Sequence, residues 1–179
     1  MIIGWELAMK SKLIENNGIN NFTFINFLDG LGRCYNEMTV APYHSRTHAA
    51  DVLQALHVFL GIGGFADLLQ LNSIEHLGAL IAAMAHDVDH PGLSNGFLVN
   101  SVDEMALLYN DQSVLENHHV AQTFLLLRDN DLNILKNFNW SDYRKIREII
   151  IKMVLSTDMA NHNTNLNVLK QLTEKIDYN

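Results

Sequence analysis

Four imidazole or carboxylate side chains fall within five consecutive positions of this chain: His86, Asp87, Asp89 and His90. They follow an apolar run, Leu77 to Ala85. Ending a buried helix in such a cluster is costly unless the groups are hydrogen-bonded or coordinate an ion. The plain alternative is a solvated helix C-terminus, where a histidine suits the helix dipole but aspartates do not. A second pair, His44 and His48, has the i, i+4 spacing that puts two side chains on one helical face. That spacing alone is weak evidence, since a surface pair at a helix start has it too. The donors are imidazole and carboxylate without thiolate. Such a set suits a catalytic Zn²⁺, or a hard ion such as Mg²⁺ or Mn²⁺, better than a structural zinc. Two ions bridged by one carboxylate would suit hydrolysis of a phosphoester.

The elements that must position these groups read as helices almost throughout. Val52, Leu56, Phe59 and Leu60 make one apolar stripe, and Leu77, Leu80, Ile81 and Met84 make another behind Asn72 and Glu75, placed as N-cap and N3. Ala79, Ala82 and Ala83 share the face of His86 and would admit a close neighbouring helix. Ser113-Val114-Leu115-Glu116 predicts a capping box that opens a helix to about Arg128. Ile146, Ile150, Met153 and Val154 form a stripe after a Ser141 cap. No stretch alternates convincingly with period two, so six to eight helices in an all-α bundle are expected, a rough figure from usual helix lengths. Breaks are predicted around Thr39–Tyr43, Val88–Asn95, Asn110–Ser113 and Asn161–Asn167. Both prolines of the chain stand beside histidine clusters, in Ala41-Pro42-Tyr43-His44 and His90-Pro91-Gly92. Chain punctuation and candidate chemistry therefore coincide.

Composition narrows the function classes. A length of 179 residues suits one domain, and 48% apolar residues can supply its core. With 12 Lys and Arg against 20 Asp and Glu, the net charge is −8, which argues against nucleic acid or an anionic membrane as the main partner. Bound metal ions would remove the same objection to an anionic substrate, because they bring local positive charge. Cys34 is the one cysteine, which excludes an intrachain disulfide and points to a reducing, cytoplasmic setting. No apolar run approaches the roughly 20 residues that a membrane-spanning helix needs. Glu6 and Lys10 interrupt the N-terminal segment, which does not read as a secretory leader.

Four blocks together resemble one family. Tyr43-His44-Ser45-Arg46-Thr47-His48-Ala49-Ala50-Asp51-Val52 is similar to the first metal-site signature of class I 3′,5′-cyclic-nucleotide phosphodiesterases, within the HD superfamily. His86-Asp87-Val88-Asp89-His90-Pro91-Gly92, followed by Ser94-Asn95-Gly96-Phe97-Leu98, resembles the second. Tyr109-Asn110-Asp111 with Ser113 to His119 resembles the third, and Ser156-Thr157-Asp158-Met159 the fourth. The blocks keep the family's order and cover about Phe22 to about Asp158. The resemblance implies a compact multi-helix bundle of the HD and cyclic-nucleotide phosphodiesterase type. It also implies His48, His86 and Asp87 as ligands of two divalent ions, Zn²⁺ with Mg²⁺ or Mn²⁺. In the same way His44 is implied as proton donor to the departing O3′, and Glu116 as the residue that orients His44. His90, Thr157 and Asp158 would hold waters near the ions, and Tyr43, Asn95 and Met159 would line or brace the pocket.

Departures from the family pattern are Ser45, where Asn is usual, and Gly96, where a larger polar residue is usual. The family's C-terminal subdomain, which carries a further aspartate ligand and the base-reading glutamine and aromatic clamp, has no counterpart here. Residues 1–179 are therefore read as a single, partial catalytic domain with a metal-site scaffold at about 22–160. The implied activity is metal-dependent hydrolysis of cAMP or cGMP to the 5′-monophosphate, weak or absent in this chain by itself. The wording of the first two blocks leans toward the cAMP-specific branches. The alternatives are another HD-superfamily nucleotide phosphohydrolase and a non-catalytic regulatory fragment. Expected partners are the cyclic nucleotide and, outside this chain, regulatory domains or a second copy; neither nucleic acid nor membrane insertion is expected.

Overall fold

Helical periodicity is realised along nearly the whole chain. The structure, a computed structural model that describes residues 2–174, runs through α1 (Ile2–Lys10), α2 (Leu13–Asn16), α3 (Asn21–Arg33), α4 (Arg46–His57), a π-helical turn (Val58–Ile62) and α5 (Phe65–Leu68). It continues with α6 (Ser73–Ala85), α7 (Asn95–Asn100), α8 (Glu104–Leu108), α9 (Val114–Leu126), α10 (Trp140–Leu155), a 3₁₀ turn (Met159–Asn161) and α11 (His162–Glu174). No strand occurs among the described residues. The eleven α-helices among the described residues exceed the six to eight expected because α2, α5, α7 and α8 have only four to six residues, too few to show a period.

The longest apolar run of the sequence becomes the axis of the bundle. Every residue of α6 from Leu77 to Ala85 is buried, because α10 and α4, with α1, α2 and α9, pack against it. Its capping box is formed as read: Asn72 Oδ1 accepts from Glu75 N at 3.0 Å, and Glu75 Oε2 accepts from Asn72 N at 2.9 Å. Small residues set the helix spacing. A Cβ on Gly78 would stand 3.1 Å from Ile149 Cγ2 of α10. One core joins Phe24, Phe27 and Leu31 of α3, Leu53 of α4, Leu77 and Ile81 of α6, and Ile146, Ile150 and Val154 of α10. A satellite cluster of Leu98, Ala106, Val114 and Leu115 fastens α7 and α8 to the start of α9.

Four local expectations are corrected. Asn139, not Ser141, caps α10, its side chain accepting from Asp142 N at 3.0 Å. Phe59 does not join the buried stripe: the switch from i−4 to i−5 bonding at Val58–Ile62 changes the helical phase, and Phe59 is 62% exposed while Leu60 is buried. The break expected over 161–167 lies earlier, at Ser156–Asp158 and the 3₁₀ turn, and residues 162–167 are helical. Ser113 adopts a left-handed backbone, φ 40° and ψ 54°, and makes no capping bond to α9. Along α11, residues 162–171 are all exposed, Leu166, Val168 and Leu169 among them.

Ile146 is fully buried where α10 meets the core. Ile146→Ala is expected to lower unfolding free energy by about 2–5 kcal/mol, the usual range for a large-to-small core change. Chemical denaturation checks this, and a change below 1 kcal/mol would contradict the α6–α10 packing.

Candidate metal centre and cleft

Where α6 ends, the buried helix delivers its polar cluster. His86 is the C-cap residue, still in a helical conformation, and both His86 and Asp87 are buried. His86 Nδ1 lies 3.0 Å from Ala83 O. A carbonyl can only accept, so Nδ1 carries the proton and the neutral ring turns the Nε2 lone pair the other way. That Nε2 meets His48 Nε2 at 3.2 Å and Asp87 Oδ2 at 3.1 Å, and His48 Nε2 stands 3.4 Å from the same Oδ2. Asp87 Oδ2 is buried without a hydrogen-bond partner, although both imidazoles lie within ion-pair distance. Three lone-pair atoms facing one another in a buried place call for a cation at their centre. Among the described residues these three are the only such group close enough together to share one ion. The donor set, two imidazoles and one carboxylate, fits a catalytic divalent metal with positions left for water.

Electrostatics agree with this reading. Burial lowers the pKa of His48, with Asp87 opposing, so its ring stays neutral and able to ligate. Burial also acts to lower His86, but the Asp87 carboxylate outweighs it and draws a proton toward that ring. Asp87 is shifted down despite its burial, through His86. A proton on His86 Nε2 and a metal ion at that atom exclude each other.

The cleft around the trio has a volume of about 850 Å³, and all eleven residues singled out from the sequence line it: Tyr43, His44, His48, His86, Asp87, His90, Asn95, Glu116, Thr157, Asp158 and Met159. Their detailed partners differ from expectation in three places. His44 precedes α4 and does not share a helical face with His48; their rings are 6.2 Å apart and perpendicular. It stacks instead on His90, centroids 3.7 Å apart and planes within 7°. Glu116 has no hydrogen bond to His44 among the described residues; its Oε2 accepts from Asn95 Nδ2 at 2.9 Å. Asn95 Oδ1 in turn accepts from Leu115 N at 2.8 Å, so Asn95 caps α9 from another helix. Ser113, expected as that cap, donates to Asp158 Oδ2 at 2.6 Å, and Asp158 Oδ1 accepts from Ala160 N at 2.9 Å. Asp158 Oδ2 thus fastens the α10 end to the α9 start, while Oδ1 caps the 3₁₀ turn that follows. Burial raises the Glu116 pKa, with the Asn95 bond acting against it.

Two further residues shape the site. Gly92 has φ +76°, and a Cβ there would fall 2.2 Å from Val40 O, so the turn after Pro91 needs glycine. His119 lines the cleft too, is 1% exposed, and donates from Nδ1 to Val88 O at 2.7 Å. Its position one turn from the buried Leu115 and Thr123 was the signal that could have placed it inward. A separate hollow of about 440 Å³ beside Ile2, Trp5, Ile25 and Leu28 is apolar, and its Asp29 and Arg33 pair with each other. It offers no comparable chemistry.

Three comparisons with known proteins bear on this geometry. The family described as 3′5′-cyclic nucleotide phosphodiesterase matches residues 43–179. The human dual specificity calcium/calmodulin-dependent 3′,5′-cyclic nucleotide phosphodiesterase 1B is 38% identical over 178 residues, 98% of this chain and 33% of that protein. A Drosophila melanogaster 3′,5′-cyclic-AMP phosphodiesterase, isoform F, is 41% identical over 172 residues, 96% of this chain and 25% of its own length. In the crystal structure of the phosphodiesterase domain of the RhoPDE fusion protein from the choanoflagellate Salpingoeca rosetta, the match has TM-score 0.84 and 34% identity, covering 94% of this chain and 51% of that one. The chain therefore spans about a third or less of these curated relatives and about half of the solved domain.

The buried histidines predict a pH dependence. Burial lowers His119, and likewise His90, from the ordinary 6.5 to about 4. Between those values the unfolded chain binds more protons than the folded one, so stability is full above about pH 6.5 and falls as pH drops toward 4. In metal-free urea titrations the wild type should lose stability from pH 7.5 to pH 5. His119→Asn, which keeps a donor for Val88 O but cannot titrate, should lose on the order of 2 kcal/mol less over the same interval. Equal losses would contradict a buried, neutral His119.

Proposed function

The chain belongs to the 3′,5′-cyclic nucleotide phosphodiesterase family, and on that premise we propose that it forms the metal-bearing part of a catalytic domain that hydrolyses cAMP or cGMP to the 5′-monophosphate. Residues 1–179 are the partial domain in this reading, with the scaffold of the metal site at about 22–160. The observation that carries it is the convergence of His48 Nε2, His86 Nε2 and Asp87 Oδ2 at one point of an open cleft. These atoms would hold the metal, and a set of two imidazoles and a carboxylate suits Zn²⁺ and Mg²⁺ or Mn²⁺. Bound ions would neutralise the cyclic phosphate and make a water-derived nucleophile accessible at neutral pH.

The chain's own side chains do the rest. His44 stands beside the trio without belonging to it and faces the same cleft, the place of a group that moves a proton without binding an ion. In the proposed step it gives that proton to O3′ as the P–O3′ bond breaks. His90, kept neutral by burial and by the neighbouring His44, stacks flat on the His44 ring and fixes its plane without competing for charge. Tyr43 lies 4.4 Å from the His48 ring and stays 66% exposed, forming one wall. Met159, 74% exposed, also lines the cleft. Asn95 holds Glu116 and the start of α9 together below them. The one cysteine supports a cytoplasmic setting, and no helix among the described residues is long and apolar enough to cross a membrane.

His44→Ala separates the two roles. In the form of the protein that carries activity it should keep wild-type metal content while cyclic-nucleotide turnover falls roughly 10²–10⁴-fold, the usual worth of a general acid. His48→Ala and Asp87→Ala should lose metal and turnover together. Metal analysis beside assays of cAMP, cGMP and nucleoside triphosphates checks this. Metal loss in His44→Ala equal to that in His48→Ala would overturn the division of roles, and turnover of triphosphates alone would point to a different phosphohydrolase.

A further inference from the structure

The turn that carries His86, Asp87 and His90 is gripped from its far side. Asp89 in that turn has a left-handed backbone, φ 59°, which aspartate tolerates better than most non-glycine residues but at some cost. Both of its carboxylate oxygens are held. Oδ1 accepts from Asn36 Nδ2 at 3.2 Å, and Oδ2 accepts from His118 Nε2 at 2.8 Å. Asn36 Nδ2 also lies 3.0 Å from His90 O. The residue beside each partner repeats the grip: Tyr35 OH donates to Met84 O at 2.8 Å, and His119 Nδ1 to Val88 O at 2.7 Å. Segments 35–36 and 118–119 therefore hold the backbone on both sides of the two ligands at positions 86 and 87. Hydrogen bonds to both oxygens of a carboxylate act against the strain of one left-handed residue, so these contacts help the turn keep its shape.

We propose that Asn36 and His118 are positioning residues for the metal centre: by clamping Asp89 they hold His86 and Asp87 at the separation that accepts a divalent ion. The inference rests on the metal reading of the trio and extends it to two residues that do not line the cleft. Neither touches the trio, so their effect is on affinity and ligand geometry.

Co²⁺ is the probe, because its visible absorption reports ligand number and geometry. The wild-type chain should bind Co²⁺ with a visible band that disappears in His86→Ala. Asn36→Ala and His118→Leu should weaken Co²⁺ binding about tenfold, the lower end for residues that orient ligands, and should shift or flatten the band. His118→Gln, whose side-chain amide places an N–H where Nε2 stands, should restore both affinity and band. Thermal melts of the metal-free proteins accompany the titrations. If His118→Leu does not fold, Asn36→Ala carries the test, since Asn36 is a half-buried loop residue outside the core. Wild-type affinity and an unchanged band in Asn36→Ala and His118→Leu would overturn the clamp while leaving the metal site standing. A wild type that takes up no Co²⁺ would overturn the metal reading and the clamp with it.

Discussion

Three lone-pair atoms, His48 Nε2, His86 Nε2 and Asp87 Oδ2, stand within 3.4 Å of one another at the end of a buried helix. Without a positive charge among them the arrangement is repulsive, and burial removes the water that would soften it. Much of the surrounding structure serves to keep these atoms together. Ala83 O turns the Nε2 of His86 toward the others, Ala49 and Leu53 pack α4 down so that His48 reaches them, and the completely buried α6 gives the ligands a rigid base. A site on a rigid element tolerates little misplacement, which suits chemistry that depends on ångström-scale positioning.

The second requirement is a wall. α7, α8 and the start of α9 have a small core of their own, and Asn95 and Ser113 tie that unit to Glu116 and Asp158 at the rim of the cleft. The cleft is therefore assembled from the ends of α4, α6, α7, α9 and α10, and each contributes one or two polar groups. Tyr43 and Met159 are exposed members of its lining, and Leu166, Val168 and Leu169 of α11 are exposed as well.

Much of this was legible before any coordinates. The helical class, the buried α6 stripe and the Asn72–Glu75 box depend on neighbours within four residues, and local pattern carries that information. The motif blocks brought the whole set of cleft residues into view. What escaped depends on distant partners. Ser113-x-x-Glu116 has the same signature as Asn72-x-x-Glu75, yet its hydroxyl goes to Asp158, 45 residues on, and its carboxylate to Asn95, 21 residues back. His44 at i, i+4 from His48 suggested a shared helical face, but α4 begins only at Arg46, and His44 finds His90 across the cleft. Phe59 obeyed the 3.6-residue period in sequence and lost it to a π-helical turn that no local rule announced. His119 lay within a recognised block, and its inward orientation appears only once α9 is packed against the turn at Val88.

Anomalous diffraction from crystals grown with Zn²⁺ addresses the convergence most directly. The expected result is an ion bonded to His48 Nε2, His86 Nε2 and Asp87 Oδ2 at about 2.0–2.2 Å. Zinc confined to other parts of the surface, with these three atoms left without an ion at saturating metal, would contradict it.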